Sequence, residues 1–250
     1  MQEVVIAAAQ YCSVPGDVDR NIVLHREFIA TAVRENVDLL VFPELSLTGY
    51  ELSIAREQAL TLQDPRLDAL RADARTHRMN VVLGAPLAAG NGETCYIGAI
   101  IFTADGTLYA YTKQHLHGEE IHLFSRGEGG PLLTVRQHAV GLAICADISH
   151  ADHPAKAAQS GASIYIAGVL ISHEGYQHDT SMLQGYAGQH GMAILMANHG
   201  APTGGWQPAG KSALWDEQGE QVIAAQEEGN ALIIGRKNRQ GWHGSLHPLS

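Results

Sequence analysis

Val140-Gly141-Leu142-Ala143-Ile144-Cys145-Ala146-Asp147 is an apolar run that stops abruptly at a thiol and a carboxylate. Residues 139–144 read as a short buried strand with Cys145 at its carboxyl end. The chain beyond repeats one grammar. A helical pattern at 154–160 stops at Gly161 and is followed by an apolar run at 163–167. A second helical pattern at 181–190 stops at Gly191 and is followed by 193–197. Glycine just past a helix accepts the left-handed conformation that closes it. Toward the amino terminus, residues 4–9 predict a strand and 17–36 a helix, with Asp17 or Asp19 as N-cap. That helix carries Ile22, Phe28, Ile29, Ala32 and Val33 on one face. Residues 38–42 predict a strand ending at Pro43, 65–77 a helix and 80–85 a strand. Hairpins are expected around Asp105-Gly106 and Gln218-Gly219, and a last strand at 231–235. Strands alternating with helices and mixed with hairpins define a layered α/β fold, without fixing the number of layers.

Composition narrows the classes of function. The chain has 250 residues, of which 45% are hydrophobic and 17% charged, enough apolar material for a large core. Its formal net charge of -10, with basic residues scattered, disfavours nucleic acid and anionic membranes as partners. The start has no basic leader before its short apolar run, and no segment approaches the roughly 20 apolar residues of a membrane span. Cys12, Cys95 and Cys145 are odd in number and widely spaced, so a disulfide framework or structural zinc is not expected, and the cytoplasm is the expected location.

Three residues stand at the ends of apolar runs and divide the labour of acyl transfer. Cys145 is a candidate nucleophile, with neighbouring backbone N–H groups to hold an oxyanion. Glu44, after Val41-Phe42-Pro43, is a candidate base at a strand end, where active sites of open α/β sheets collect. Lys113, after Tyr111-Thr112, would stabilise a thiolate and then an oxyanion. Each alone also fits an ordinary structural role: a small buried thiol, a turn carboxylate, a solvated lysine.

Phe42-Pro43-Glu44, Lys113-Gln114-His115-Leu116 and Gly141-Leu142-Ala143-Ile144-Cys145-Ala146-Asp147 resemble, in order and spacing, the three signature blocks of the nitrilase superfamily of carbon–nitrogen hydrolases. The resemblance continues at Ala8-Ala9-Gln10, Met196-Ala197-Asn198 and Gly210-Lys211-Ser212. It implies one domain over residues 1–250 with a four-layer αββα sandwich of the nitrilase type, a homodimer and no metal or organic cofactor. It also implies a second glutamate shortly after the lysine, at Glu120 on ungapped alignment or else at Glu119, holding Lys113 and orienting substrate. The activity implied is hydrolysis of a small-molecule amide or N-carbamoyl amine through a Cys145 thioester, with the Ala146 N–H on the oxyanion. Nitrile hydrolysis, acyl transfer to an amine, and a non-catalytic partner protein that keeps the fold are the rival readings.

The segment after Cys145 departs from the family pattern. Ile148-Ser149-His150 stands where relatives that bind α-carboxylates place arginine. With Asp152, Glu174 and Asp179 nearby, a neutral-to-acidic rim is expected, favouring neutral or cationic substrates over carbamoyl amino acids. His150 and His173 are expected to bind substrate, and His173, Glu174, His178 and Asp179 to line or rim the pocket or else to be solvated. Of the 14 histidines none falls in a recognised metal motif, and no metal site is expected. Residues 236–250 show no periodicity and are expected to form an arm available to a partner subunit.

Overall fold

A computed structural model describes residues 3–90, 94–226 and 228–249. Strand β1 (Val4–Gln10) is buried throughout, and its side chains alternate between two apolar environments. Val4, Ile6 and Ala8 face one core while Val5, Ala7 and Ala9 face another, as the two-residue period of a strand requires. Burial on both faces explains why the strand reads as a continuous apolar run. Helix α1 (Val18–Arg34) follows, capped by Asp17, whose side chain accepts from the Arg20 N–H. Then come β2 (Leu39–Val41), α2 (Asp68–His77), β3 (Asn80–Ala88), β4 (Cys95–Phe102) and β5 (Leu108–Thr112).

The second half is built alike. A short helix α3 (Glu120–Leu123) precedes β6 (Leu133–Val135) and β7 (His138–Ile144). These are followed by α4 (Asp152–Gln159), β8 (Ile164–Val169), α5 (Tyr176–His190) and β9 (Ala193–Asn198). Strands β10 (Ala213–Trp215), β11 (Gln221–Ala224), β12 (Ala231–Asn238) and β13 (Gly241–Pro248) complete the described chain.

The strands form two sheets, ordered β13-β12-β1-β2-β3-β4-β5 and β11-β10-β9-β8-β7-β6. Each has a parallel centre, β1-β2-β3 and β7-β8-β9, with antiparallel flanks. Ile6, Leu39, Ile97 and Ile101 of the first sheet share a core with Leu142, Ile144, Ile166 and Leu195 of the second. On the outer face of the first sheet, Phe28 and Ile29 of α1 and Leu70 of α2 cover Ala7, Leu40 and Val81. On the outer face of the second, Leu183 and Ala187 of α5 cover Ala167, Ile194 and Met196. The order of layers is therefore αββα.

The tail departs from expectation. Residues 241–248 form β13, paired antiparallel with β12 over its whole length, rather than an aperiodic arm. Ser250, the end of the expected arm, lies outside the described residues. No helix among the described residues is long and apolar enough to cross a membrane.

Candidate active site

The site lies at the seam between the sheets. Phe42-Pro43-Glu44 leaves the carboxyl end of β2 and is pressed against both sheets. A Cβ on Gly84 of β3 would stand 2.3 Å from the Leu45 nitrogen, and one on Gly168 of β8 would stand 2.7 Å from the Phe42 oxygen. Bare glycine at both positions is what lets this segment sink between the layers. The following loop is held by helix α1. Asn21 Nδ2 donates to the Leu47 carbonyl at 2.9 Å, and His25 Nε2 lies 2.9 Å from Ser46 Oγ. Burial lowers the His25 pKa to about 3, so this clamp is neutral.

Lys113 follows β5, and its backbone N–H donates to the Ile97 carbonyl at 2.8 Å. Its side chain is fully buried. Nζ donates to Glu44 Oε1 at 2.6 Å and to Glu120 Oε1 and Oε2, each at 2.8 Å. Glu120 opens α3 and is fully buried; Glu119, the other expected position, is exposed. The Tyr50 hydroxyl donates to Glu120 Oε1 at 2.5 Å and the His117 N–H to Oε2 at 2.8 Å. A buried cation must be paired and saturated, and Lys113 is. Burial opposes its charge, but Glu44, Cys145 and Glu120 outweigh that, and its pKa is raised.

Glu44 is also buried, and among the described residues its Oε2 has no hydrogen-bond donor beyond the neighbouring Cys145 thiol. Burial, reinforced by Glu120 and opposed by Lys113, lifts its pKa to about 7. That is where a group that both takes and returns protons works best near neutrality. His199 fixes the backbone at this point, its Nε2 donating to the Glu44 carbonyl at 2.7 Å.

Cys145 begins a 3-10 turn, Cys145–Ser149, directly after β7. Its φ of 40° is in the left-handed region, uncommon for a residue with a Cβ. Such strain persists only where the surroundings hold it. Asp147, fully buried, supplies the hold. Its Oδ2 accepts from the Ile144 N–H at 3.1 Å and the Tyr111 hydroxyl at 2.7 Å. Its Oδ1 accepts from the Gln114 and His115 N–H groups at 3.1 and 2.9 Å. One carboxylate thus ties the cysteine turn to the lysine loop. The Cys145 thiol lies 3.5 Å from the Leu170 carbonyl. Burial and Glu44 push its pKa well up, against the pull of Lys113, so the resting sulfur is protonated.

A cavity of about 230 Å³ opens on this cluster. Glu44, Cys145, Ala146, Glu120 and Tyr50 form its floor side, and Ile148, Leu170, Ile171, His117, Asp179 and Trp206 are among its other walls. Ala146 is the second residue of the 3-10 turn, and the first N–H groups of a helical turn have no partner within it.

Two expected wall residues do not reach the cavity. His150 is exposed after the turn and stacks on His115, ring centroids 3.7 Å apart. His173 is exposed and meets Glu228 Oε1 at 3.0 Å. Position in sequence near a functional residue did not set where these side chains point. Conversely Tyr50, His199 and Trp206 gave no sequence signal, because they come from irregular segments. Both ring nitrogens of His153 are taken, by the Tyr165 and Tyr111 hydroxyls, each at 2.7 Å. Among the described residues no three His, Cys, Asp or Glu side chains are grouped to hold a metal ion.

A buried carboxylate, lysine and thiol beneath one cavity define a cysteine-dependent hydrolase site. The carbon–nitrogen hydrolase family model matches residues 5–243, and the chain belongs to that family. It is 29% identical to an (R)-stereoselective amidase of Pseudomonas sp. over 222 residues, 88% of this chain and 80% of that one. A double mutant of the amidase from Nesterenkonia sp. AN1 in complex with acrylamide superposes with a TM-score of 0.86. That likeness has 25% identity and covers 95% of this chain and 92% of the other. Another form of that amidase carries the acetamide moiety of fluoroacetamide on its active-site cysteine. It matches with a TM-score of 0.83 and 26% identity over 92% of this chain and 89% of that one.

Proposed function

We propose that this chain hydrolyses small-molecule amides or N-carbamoyl amines through a thioester on Cys145. The observation that carries the reading is the hydrogen-bonded Glu44–Lys113–Glu120 cluster under the same cavity that exposes Cys145. Glu44, as carboxylate, takes the thiol proton while sulfur attacks the carbonyl carbon. Lys113 and the Ala146 N–H stabilise the tetrahedral oxyanion, an effect of about 10²–10³-fold per donor. The protonated Glu44 returns its proton to the departing nitrogen. Water, deprotonated by Glu44, then cleaves the thioester and releases the acid. Glu120, itself held by the Tyr50 hydroxyl, positions Lys113.

The test is intact-mass analysis of the protein mixed with a library of amides and carbamoyl amines. The expected result is a transient acyl adduct that peptide mapping places on Cys145. No adduct and no turnover across the library would overturn the reading.

The same assignment fixes a pH response. Glu44 must be ionised to act as base, so kcat/KM falls as pH drops through about 7, by about tenfold per unit. Because Glu120 raises the Glu44 pKa, Glu120→Gln moves this limb to lower pH and costs less activity than Glu44→Gln. A limb unmoved in Glu120→Gln would assign it to another group.

The family resemblance supports a homodimer in the reducing cytoplasm. The three cysteines are free, as a nucleophilic thiol needs, and β13 offers an outer edge with Leu246 exposed. Sedimentation measures the first of these proposals.

A further inference from the structure

The cavity lining outside the catalytic cluster has its own chemistry. Asp179 stands in the first turn of α5, its N–H donating to the Gly175 carbonyl at 3.0 Å, and it lines the cavity half-buried. Among the described residues its carboxylate accepts no hydrogen bond and joins no ion pair. Burial raises its pKa, against the pull of His178 and His117. Trp206 lines the same cavity and is 42% exposed. Its backbone is fixed. Thr203 and Trp206 bond each other's backbones across Gly204-Gly205, both with positive φ. A Cβ on Gly204 would stand 2.0 Å from the Tyr50 carbonyl, and its N–H donates to Glu51 Oε1 at 2.7 Å. The turn is therefore seated on Tyr50, the residue that also binds Glu120.

Among the described residues no arginine lines this cavity, and beneath it the Lys113 ammonium is already paired with Glu44 and Glu120. A carboxylate-bearing substrate would meet no arginine there, whereas a cation would meet the Asp179 carboxylate, with the Trp206 ring on the same cavity. We propose that Asp179, with Trp206, is the specificity-determining subsite of this cavity and selects amides that carry a primary ammonium group on the acyl chain. The proposal rests on the hydrolase reading above and names its substrate class. An acid in a first helical turn also complements the helix dipole, which alone would explain Asp179. That role predicts a loss of stability with no change in substrate preference.

The experiment compares ω-aminobutyramide, ω-aminovaleramide and ω-aminocaproamide with the corresponding methyl-ended and carboxylate-ended amides. In the wild-type protein kcat/KM is expected to be highest for one ammonium-ended amide, by about 10- to 100-fold over its methyl-ended analogue. Asp179→Asn should remove that advantage, lowering kcat/KM about 10- to 100-fold more for the ammonium-ended amide than for its methyl-ended analogue. Asp179→Lys should favour the carboxylate-ended amides. Equal turnover of ammonium- and methyl-ended amides, or an equal fall for both in Asp179→Asn, would overturn the subsite while leaving the hydrolase reading intact. Failure of every amide to be turned over or to acylate Cys145 would instead overturn the hydrolase reading itself.

Discussion

Cys145→Ala is expected to lose turnover by at least about 10⁴-fold, because without sulfur no thioester forms and the remaining groups do not act independently. The loss should come with an intact fold. The cysteine turn is held by Asp147 through backbone N–H groups and the Tyr111 hydroxyl, none of which involves the thiol. Relief of the left-handed strain is unavailable to alanine, which has a Cβ as cysteine does. Substrate binding should survive, measurable by calorimetry on the inactive protein. Cys12→Ala and Cys95→Ala should keep their activity, since neither residue lines the cavity. Full turnover by Cys145→Ala would remove the mechanism, and loss in Cys12→Ala or Cys95→Ala of the same size would point to a structural effect.

Lys113→Ala is the second large effect. If the ammonium stabilises the oxyanion, kcat should fall by about 10²–10³-fold while KM changes little. The sign of the accompanying pH effect is also set. Lys113 lowers the Glu44 pKa, so its removal leaves Glu44 protonated to higher pH and the acid limb of kcat/KM moves up. Stability should fall as well. Glu44 and Glu120 would be left buried without their cation, and breaking such a pair costs about 3–5 kcal/mol unless a carboxyl takes a proton. Urea unfolding alongside steady-state kinetics separates the two effects. A variant that raises KM alone would make Lys113 a binding residue.

Some differences between sequence and structure have a common cause. The three-residue β6 is too short to show a period, and β13 has no apolar alternation to show. In β13 the residues are half-buried or exposed throughout, and it is held mainly by its backbone pairing with β12. Its one large anchor, Trp242, packs on the core and donates to Glu217, and a single anchor makes no period. The helix at α5 begins at Tyr176, five residues before the apolar pattern suggested, because its first turn faces the cavity and carries Asp179.

The sequence by itself determined the layered α/β class and singled out Glu44, Lys113 and Cys145 as candidates. Buried strands must be apolar, helices must show one apolar face, and a charged or nucleophilic residue that ends such a strand stands out against it. Only the tertiary structure decided that Glu44 and Lys113 touch, that Glu120 rather than Glu119 faces the lysine, and that His150 and His173 stay outside. Only it brought Tyr50 and Trp206 to the cavity on whose rim Asp179 was expected. These side chains come from irregular loops and a helix end far apart in the chain. Their convergence follows from how two sheets stack and where Gly84, Gly168 and Gly204 let backbone approach backbone, which no local period encodes.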